Sequence, residues 1–199
     1  MTRDRDVAAF DARAGGYEDG WLGRLHREIA DRTAELALGV APAPRRVLDV
    51  GCGPGYLLRE LARRCPDVVE LVGVDPAPAM IAAARAAATD DRLRWVEGTA
   101  EELPCPDGFF DLAVSTTSFD HWADQRGGLE ECARVLAPGG WLVLTDLFSA
   151  WLAPTLVGGR RQKARTKKRA SRLLAEAGFQ AVRWHGVEAV VIAAVTAHR

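Results

Sequence analysis

Val47-Leu48-Asp49-Val50-Gly51-Cys52-Gly53-Pro54-Gly55 decides how the rest of the chain is read. The run Val47–Val50 predicts a buried strand. Three glycines follow at alternate positions, and Tyr56-Leu57-Leu58-Arg59-Glu60-Leu61 then opens a helical pattern. Glycines let a backbone come close to a ligand. The start of a helix offers free N–H groups and a partial positive charge to an anion. A second apolar run (Val68, Val69, Leu71, Val72, Val74) ends at Asp75, twenty residues past Gly55. An acid at the end of the next parallel strand can accept both hydroxyls of a ribose.

The spacing separates the nucleotide readings. A dinucleotide fingerprint is G-x-G-x-x-G, and its third glycine would fall on Tyr56. The phosphate loop G-x-x-x-x-G-K-[ST] is absent. A glycine turn that merely connects strand to helix would not require Asp75. The string resembles motif I of the Rossmann-like S-adenosylmethionine (SAM)-dependent methyltransferases, a strand ending in an acid and then G-x-G-x-G. The resemblance implies SAM as cofactor, with S-adenosylhomocysteine as product. It places Asp49, Gly51, Cys52, Gly53 and Gly55 against the amino-acid end of the ligand, and Asp75 with Pro76 at its ribose. A nicotinamide dehydrogenase is the distant rival, because Tyr56 replaces its last glycine.

Length and composition agree with one domain over residues 1–199, which the resemblance implies is a methyltransferase domain. Hydrophobic content is 48% and the formal net charge is −1, as in a folded domain that stays in solution. No stretch is long and apolar enough to span a membrane, and the charged start Met1–Asp6 has no apolar signal core. Cys52, Cys65, Cys105 and Cys132 are scattered, without a C-x-x-C pair or a histidine at zinc spacing. They read as reduced thiols of a cytoplasmic protein, and no metal is expected. Cys52 reads as a small filler within the loop rather than a nucleophile.

Residues 1–40 read as an N-terminal helical cap. Phe10-Asp11 to Tyr17-Glu18 resembles the cap of small-molecule methyltransferases, in which an aromatic residue closes over the ligand, a role that falls here on Tyr17. Apolar residues from Trp21 to Leu38 follow a helical stripe, with Gly39 as its stop and His26 on its surface. Beyond the first strand a helix is predicted to Arg64, a strand over Val68–Val74, a helix over 79–88 and a strand over Leu93–Val96. Strands alternating with helices predict a parallel sheet with right-handed crossovers. With the resemblance, the expected fold is α/β: a three-layer sandwich on a seven-stranded, mostly parallel sheet with an antiparallel last strand. Glu97–Pro104 resembles the adenine-binding loop, placing Thr99, Ala100 and Glu101 at the base. The family pattern has an acid where this chain has Thr99, and a neutral partner makes a weaker hydrogen bond.

The fourth strand, Phe110–Val114, runs into Ser115-Thr116-Thr117-Ser118-Phe119-Asp120-His121-Trp122. Ligands of open α/β sheets bind at the carboxyl ends of strands, so this loop is expected at the transferring methyl, with Ser115 against the cofactor. A turn is predicted at Pro138-Gly139-Gly140 and a strand over Trp141–Leu147. Residues 136–144 resemble the ubiquinone/menaquinone-biosynthesis branch of the same family. A helix ends at Gly178, and a hairpin closes the chain.

Methyl transfer is an in-line displacement, so the protein's main work is to orient the acceptor and exclude water. Histidine titrates near neutrality, which makes His121 the candidate base; the alternative is that His121 and Trp122 pack over the adenine. Asp120, His121, Trp122, Asp146, Phe148 and Trp151 are the candidate acceptor contacts. The apolar residues around Trp151 favour an apolar or aromatic small molecule with a polar edge. Between Asp146 and Glu176 there is no acid, and the segment 160–172 is basic. It carries no interleaved aromatic, so a solvated face is the plainer reading and nucleic acid the less favoured partner. Two alternatives stay open: an RNA- or protein-directed methyltransferase that docks through 160–172, and a SAM-binding partner protein without catalysis, for which the departure at Thr99 argues. Nothing in the pattern specifies an oligomer.

Overall fold

The computed structural model describes residues 2–12, 20–148, 166–188 and 192–199. Tyr17, Trp151 and residues 160–165 of the basic segment lie outside them. The elements are α1 (Thr2–Asp11), α2 (Gly20–Val40), β1 (Arg46–Val50), α3 (Tyr56–Arg64), β2 (Glu70–Asp75), α4 (Pro78–Ala87) and β3 (Leu93–Glu97). After them come β4 (Phe110–Thr116), α5 (Gln125–Val135), β5 (Leu136–Leu147), α6 (Lys167–Glu176), β6 (Gln180–Glu188) and β7 (Ile192–His198).

The sheet has seven strands in the order β3-β2-β1-β4-β5-β7-β6. Strands β1 to β5 pair in parallel, and β7 inserts antiparallel between β5 and β6. The expected α/β class and antiparallel last strand are therefore both present. Strand order runs one way from β1 through β2 to β3 and the other way from β1 to β4 and β5. The crevice above β1 and β4 is thus the switch point of the sheet, the place where such folds hold ligands.

Central strands read as continuous apolar runs because both faces are covered. In β1, Leu48 and Val50 join the core with Val72, Phe110 and Leu129, while Val47 joins Leu58, Leu61, Leu71 and Ile81 on the opposite face. Helix α2 packs into the core of the domain. Its stripe Ile29, Ala30, Thr33, Ala34 and Ala37 is buried, and it packs on α3, β4 and β5. Gly39 does not stop it, because the helix continues to Val40. Within α1, Asp11 accepts from the backbone N–H of Ala79 in the first turn of α4 at 2.9 Å, docking α1 over the sheet's carboxyl edge.

The turn expected at Pro138-Gly139-Gly140 is absorbed into β5. Leu136 pairs with Phe110 and Trp141 with Leu112, so five residue steps on β5 oppose two on β4 and the excess bulges outward. Gly178 takes φ +91° just beyond α6, a left-handed stop of the kind expected there.

Candidate functional site

The glycine loop is shaped by three different demands. A Cβ on Gly55 would lie 2.2 Å from the Trp95 ring, and Gly55 adopts φ +83°. A Cβ on Gly51 would meet the Ser118 side chain at 2.4 Å. Gly53 adopts φ +52° with no protein atom within 4 Å of where its Cβ would be. Gly51 and Gly55 therefore serve the packing of the protein itself, whereas the space beside Gly53 is left open.

Asp75 ties this loop to the end of β2. Its Oδ2 accepts from the Gly53 N–H and its Oδ1 from the Ala77 N–H, each at 2.9 Å. Burial raises its pKa, the two amides lower it, and the nearby Asp11 raises it again. Asp49, beneath the loop, is 1% exposed, and neither carboxylate oxygen has a hydrogen-bond partner among the described residues. Burial, followed by repulsion from Asp75, pushes its pKa up to about 8. A buried carboxylate without a partner is costly, and a cation placed beside it removes that cost.

Two clefts open over the switch point. The first is walled by Asp75, Pro76, Thr99, Ala100, Glu101 and Trp122, and Val7 and Phe10 of α1 also line it. The second lies between α2 and the glycine loop and includes His26, Arg27, Cys52 and Tyr56. Gly51, Gly53, Thr116 and Thr117 line both. His26 is half-buried in the second cleft, not on the open surface, and burial lowers its pKa.

Most sequence-predicted positions gather here, with corrections. Asp75, Pro76, Gly51, Gly53, Thr99, Ala100, Glu101, His121 and Trp122 line the first cleft, and Cys52 the second. Asp49 and Gly55 line neither cleft. Ser115 does not reach either cleft: it is fully buried, with its Oγ 2.7 Å from that of Ser118. Asp146 is buried on the amides of Asp120 and Leu147, so it braces the post-β4 loop and does not face an acceptor. Asp120 gives that amide and lies outside both linings. Phe148 is core, packed on Phe119 and Trp184. His121 is exposed and sets its ring edge-on to Phe10, with centroids 4.9 Å apart. Tyr17, the expected aromatic cover, lies outside the described residues; among those described, Phe10 lines the first cleft. Thr116 and Thr117 belong to the loop expected at the methyl, although the sequence does not single them out, and no motif marks Arg27.

A sheet of this order, with the glycine loop, acid and adenine-side loop at its switch point, defines a Rossmann-like methyltransferase fold. Comparison with known proteins agrees. Residues 48–144 match the methyltransferase domain family. A demethylmenaquinone methyltransferase of Deinococcus radiodurans is 42% identical over 133 residues, 66% of this chain and 51% of that protein. A malonyl-[acyl-carrier protein] O-methyltransferase of Halorhodospira halophila is 38% identical over 152 residues, 72% of this chain and 50% of that protein. A chain from the complex between the Haloferax volcanii Trm112 methyltransferase activator and a methyltransferase superposes with TM-score 0.81 at 21% identity, covering 95% of this chain and 96% of that one. The chain spans about half the length of the two curated relatives. Residues 48–144 thus match the methyltransferase domain, carried on a sheet of the Rossmann-like methyltransferase order.

The residues present fit that family's cofactor. The open space at Gly53 and the acid at Asp75 suit an adenosyl ligand, and the unpartnered Asp49 carboxylate suits one that carries positive charge.

Proposed function

We propose that the protein transfers a methyl group from SAM to a small-molecule acceptor, apolar or aromatic with a polar edge. The observation that carries this reading is the pair of clefts sharing Gly51, Gly53, Thr116 and Thr117 above the β1–β4 crevice. Asp75, Thr99 and Ala100 would hold the adenosyl part in the first cleft. Asp49 would offset the charge of the amino-acid end, and Arg27 in the second cleft is a counterion for its carboxylate. When bound, SAM supplies an activated methyl for in-line displacement.

The chain's own contribution is placement and exclusion of water. Phe10 and His121 both line the first cleft, with their rings in edge-on contact. That position supports a covering role for His121 better than a proton-transfer role. An aromatic acceptor is supported by the 42% identity to a demethylmenaquinone methyltransferase.

One observation favours a macromolecular acceptor or a docked partner. Helix α6 begins with Lys167, Lys168 and Arg169 and has no acid in its first turn, against the preference of a helix N-terminus for negative charge. Incubation with methyl-labelled SAM separates the two. Label extracted with quinol or phenol acceptors supports the small-molecule reading; label retained only on RNA or protein, in a salt-sensitive manner, contradicts it.

A further inference from the structure

Thr117 has φ +50°, a left-handed conformation that is a genuine outlier for a β-branched residue. Such strain persists only where the surroundings over-determine it. Here the bonds on both sides are visible. The Thr117 N–H donates to the Thr145 carbonyl of β5 at 2.8 Å. The next residue, Ser118, donates its Oγ–H to the Val50 carbonyl of β1 at 2.9 Å, and its Oγ accepts from Trp122 Nε1 at 3.3 Å. Ser118 also fills the space that a side chain on Gly51 would occupy. The chain leaving β4 is thus pinned to both neighbouring strands, and Thr117 takes up the bend.

The bend has a consequence for the site. Thr117 is half-buried and lines both clefts, and its hydroxyl makes no hydrogen bond among the described residues. We propose that Thr117 contacts the charged sulfur centre of the donor, its hydroxyl oxygen facing the sulfonium and its methyl where the two clefts meet. This rests on the donor reading above, which sets the adenosyl part in one cleft and the amino-acid end in the other. A hydroxyl lone pair attracts C–H groups polarised by a positive sulfur, and it gains little from the neutral thioether of the product. Thr117 would therefore distinguish donor from product as well as orient the methyl.

Calorimetric titration of the full chain with SAM and with S-adenosylhomocysteine tests this without any acceptor. Thr117→Val keeps the shape and removes the hydroxyl. Thr117→Gly removes it in a residue that adopts φ +50° without strain, so it folds even where valine does not. Both variants are expected to bind SAM about fivefold more weakly with affinity for S-adenosylhomocysteine unchanged, and Thr117→Ser is expected to restore the difference. Thr117→Gly is also expected to unfold at a higher temperature than the parent. Equal weakening for both ligands, or none for either, overturns the proposal while leaving the donor reading intact. A parent protein that binds neither ligand overturns both.

Discussion

The backbone N–H of Gly53 donates to Asp75 Oδ2 at 2.9 Å, joining the middle of the glycine loop to the last residue of β2. The same carboxylate holds Ala77 at the entrance to α4, so one side chain fixes both banks of the first cleft. Asp75→Ala leaves both amides without their acceptor. An unsatisfied buried N–H costs about 1–3 kcal/mol. The expected result is a drop in stability of about 1–3 kcal/mol, chiefly from the buried Ala77 amide, and loss of SAM binding, read by denaturant unfolding and calorimetry. A variant of unchanged affinity removes Asp75 from the ribose role.

The alternate glycines are expected to separate into two behaviours. Gly55→Ala drives a methyl into the Trp95 ring and adds left-handed strain, costing about 2–5 kcal/mol. Gly53→Ala meets no protein atom, so its cost is the backbone strain alone, about 1–2 kcal/mol, while SAM binding is lost. Thermal unfolding and ligand titration of the pair check this. A Gly53→Ala protein that binds normally would show that the open space is not used.

This division was not legible in the sequence, where the three glycines look equivalent. The strand, the loop, Asp75 and the helix from Tyr56 to Arg64 were legible, because their signals are local: apolar runs, glycine spacing and a stop at Pro66. What failed was side-chain direction. Ser115 and Asp146 sit at strand ends where the fold holds ligands, but Ser115 turns toward Ser118 and Asp146 toward the amides of Asp120 and Leu147. Phe148 follows the fifth strand, where an acceptor contact is expected, yet tertiary packing draws it onto Trp184. The role of Phe10 depends on α1 docking through Asp11 on α4, a contact between residues 68 apart that no local pattern encodes.

Asp49 predicts a pH dependence. Its pKa is about 8 in the fold against 3.8 for the ordinary carboxyl, so the folded state retains a proton that the unfolded state releases. Stability is therefore expected to fall as pH rises from about 4 to 8 and to level off above that, by up to about 1.4 kcal/mol per pH unit from this group. Asp49→Asn removes that slope. Urea unfolding of both proteins at pH 5, 6, 7 and 8 measures it, and parallel curves would show that Asp49 is ionised throughout.

His121→Ala and Phe10→Ala are each expected to weaken SAM binding about threefold to tenfold, consistent with the loss of an edge-on ring pair of about 0.5–1.5 kcal/mol. Because the rings act together, the double variant should lose less than the sum of the two. If His121→Ala leaves affinity unchanged and turnover falls instead, the ring is a base and not a cover.

Thermal unfolding with SAM, S-adenosylhomocysteine and NAD tests the central claim most directly. A ligand at one hundred times its dissociation constant adds about 2.7 kcal/mol, which for a domain of this size moves the midpoint by roughly 5–11 °C. The account predicts that shift with the two adenosyl ligands and none with NAD. A shift with NAD alone, or with none of the three, would contradict it.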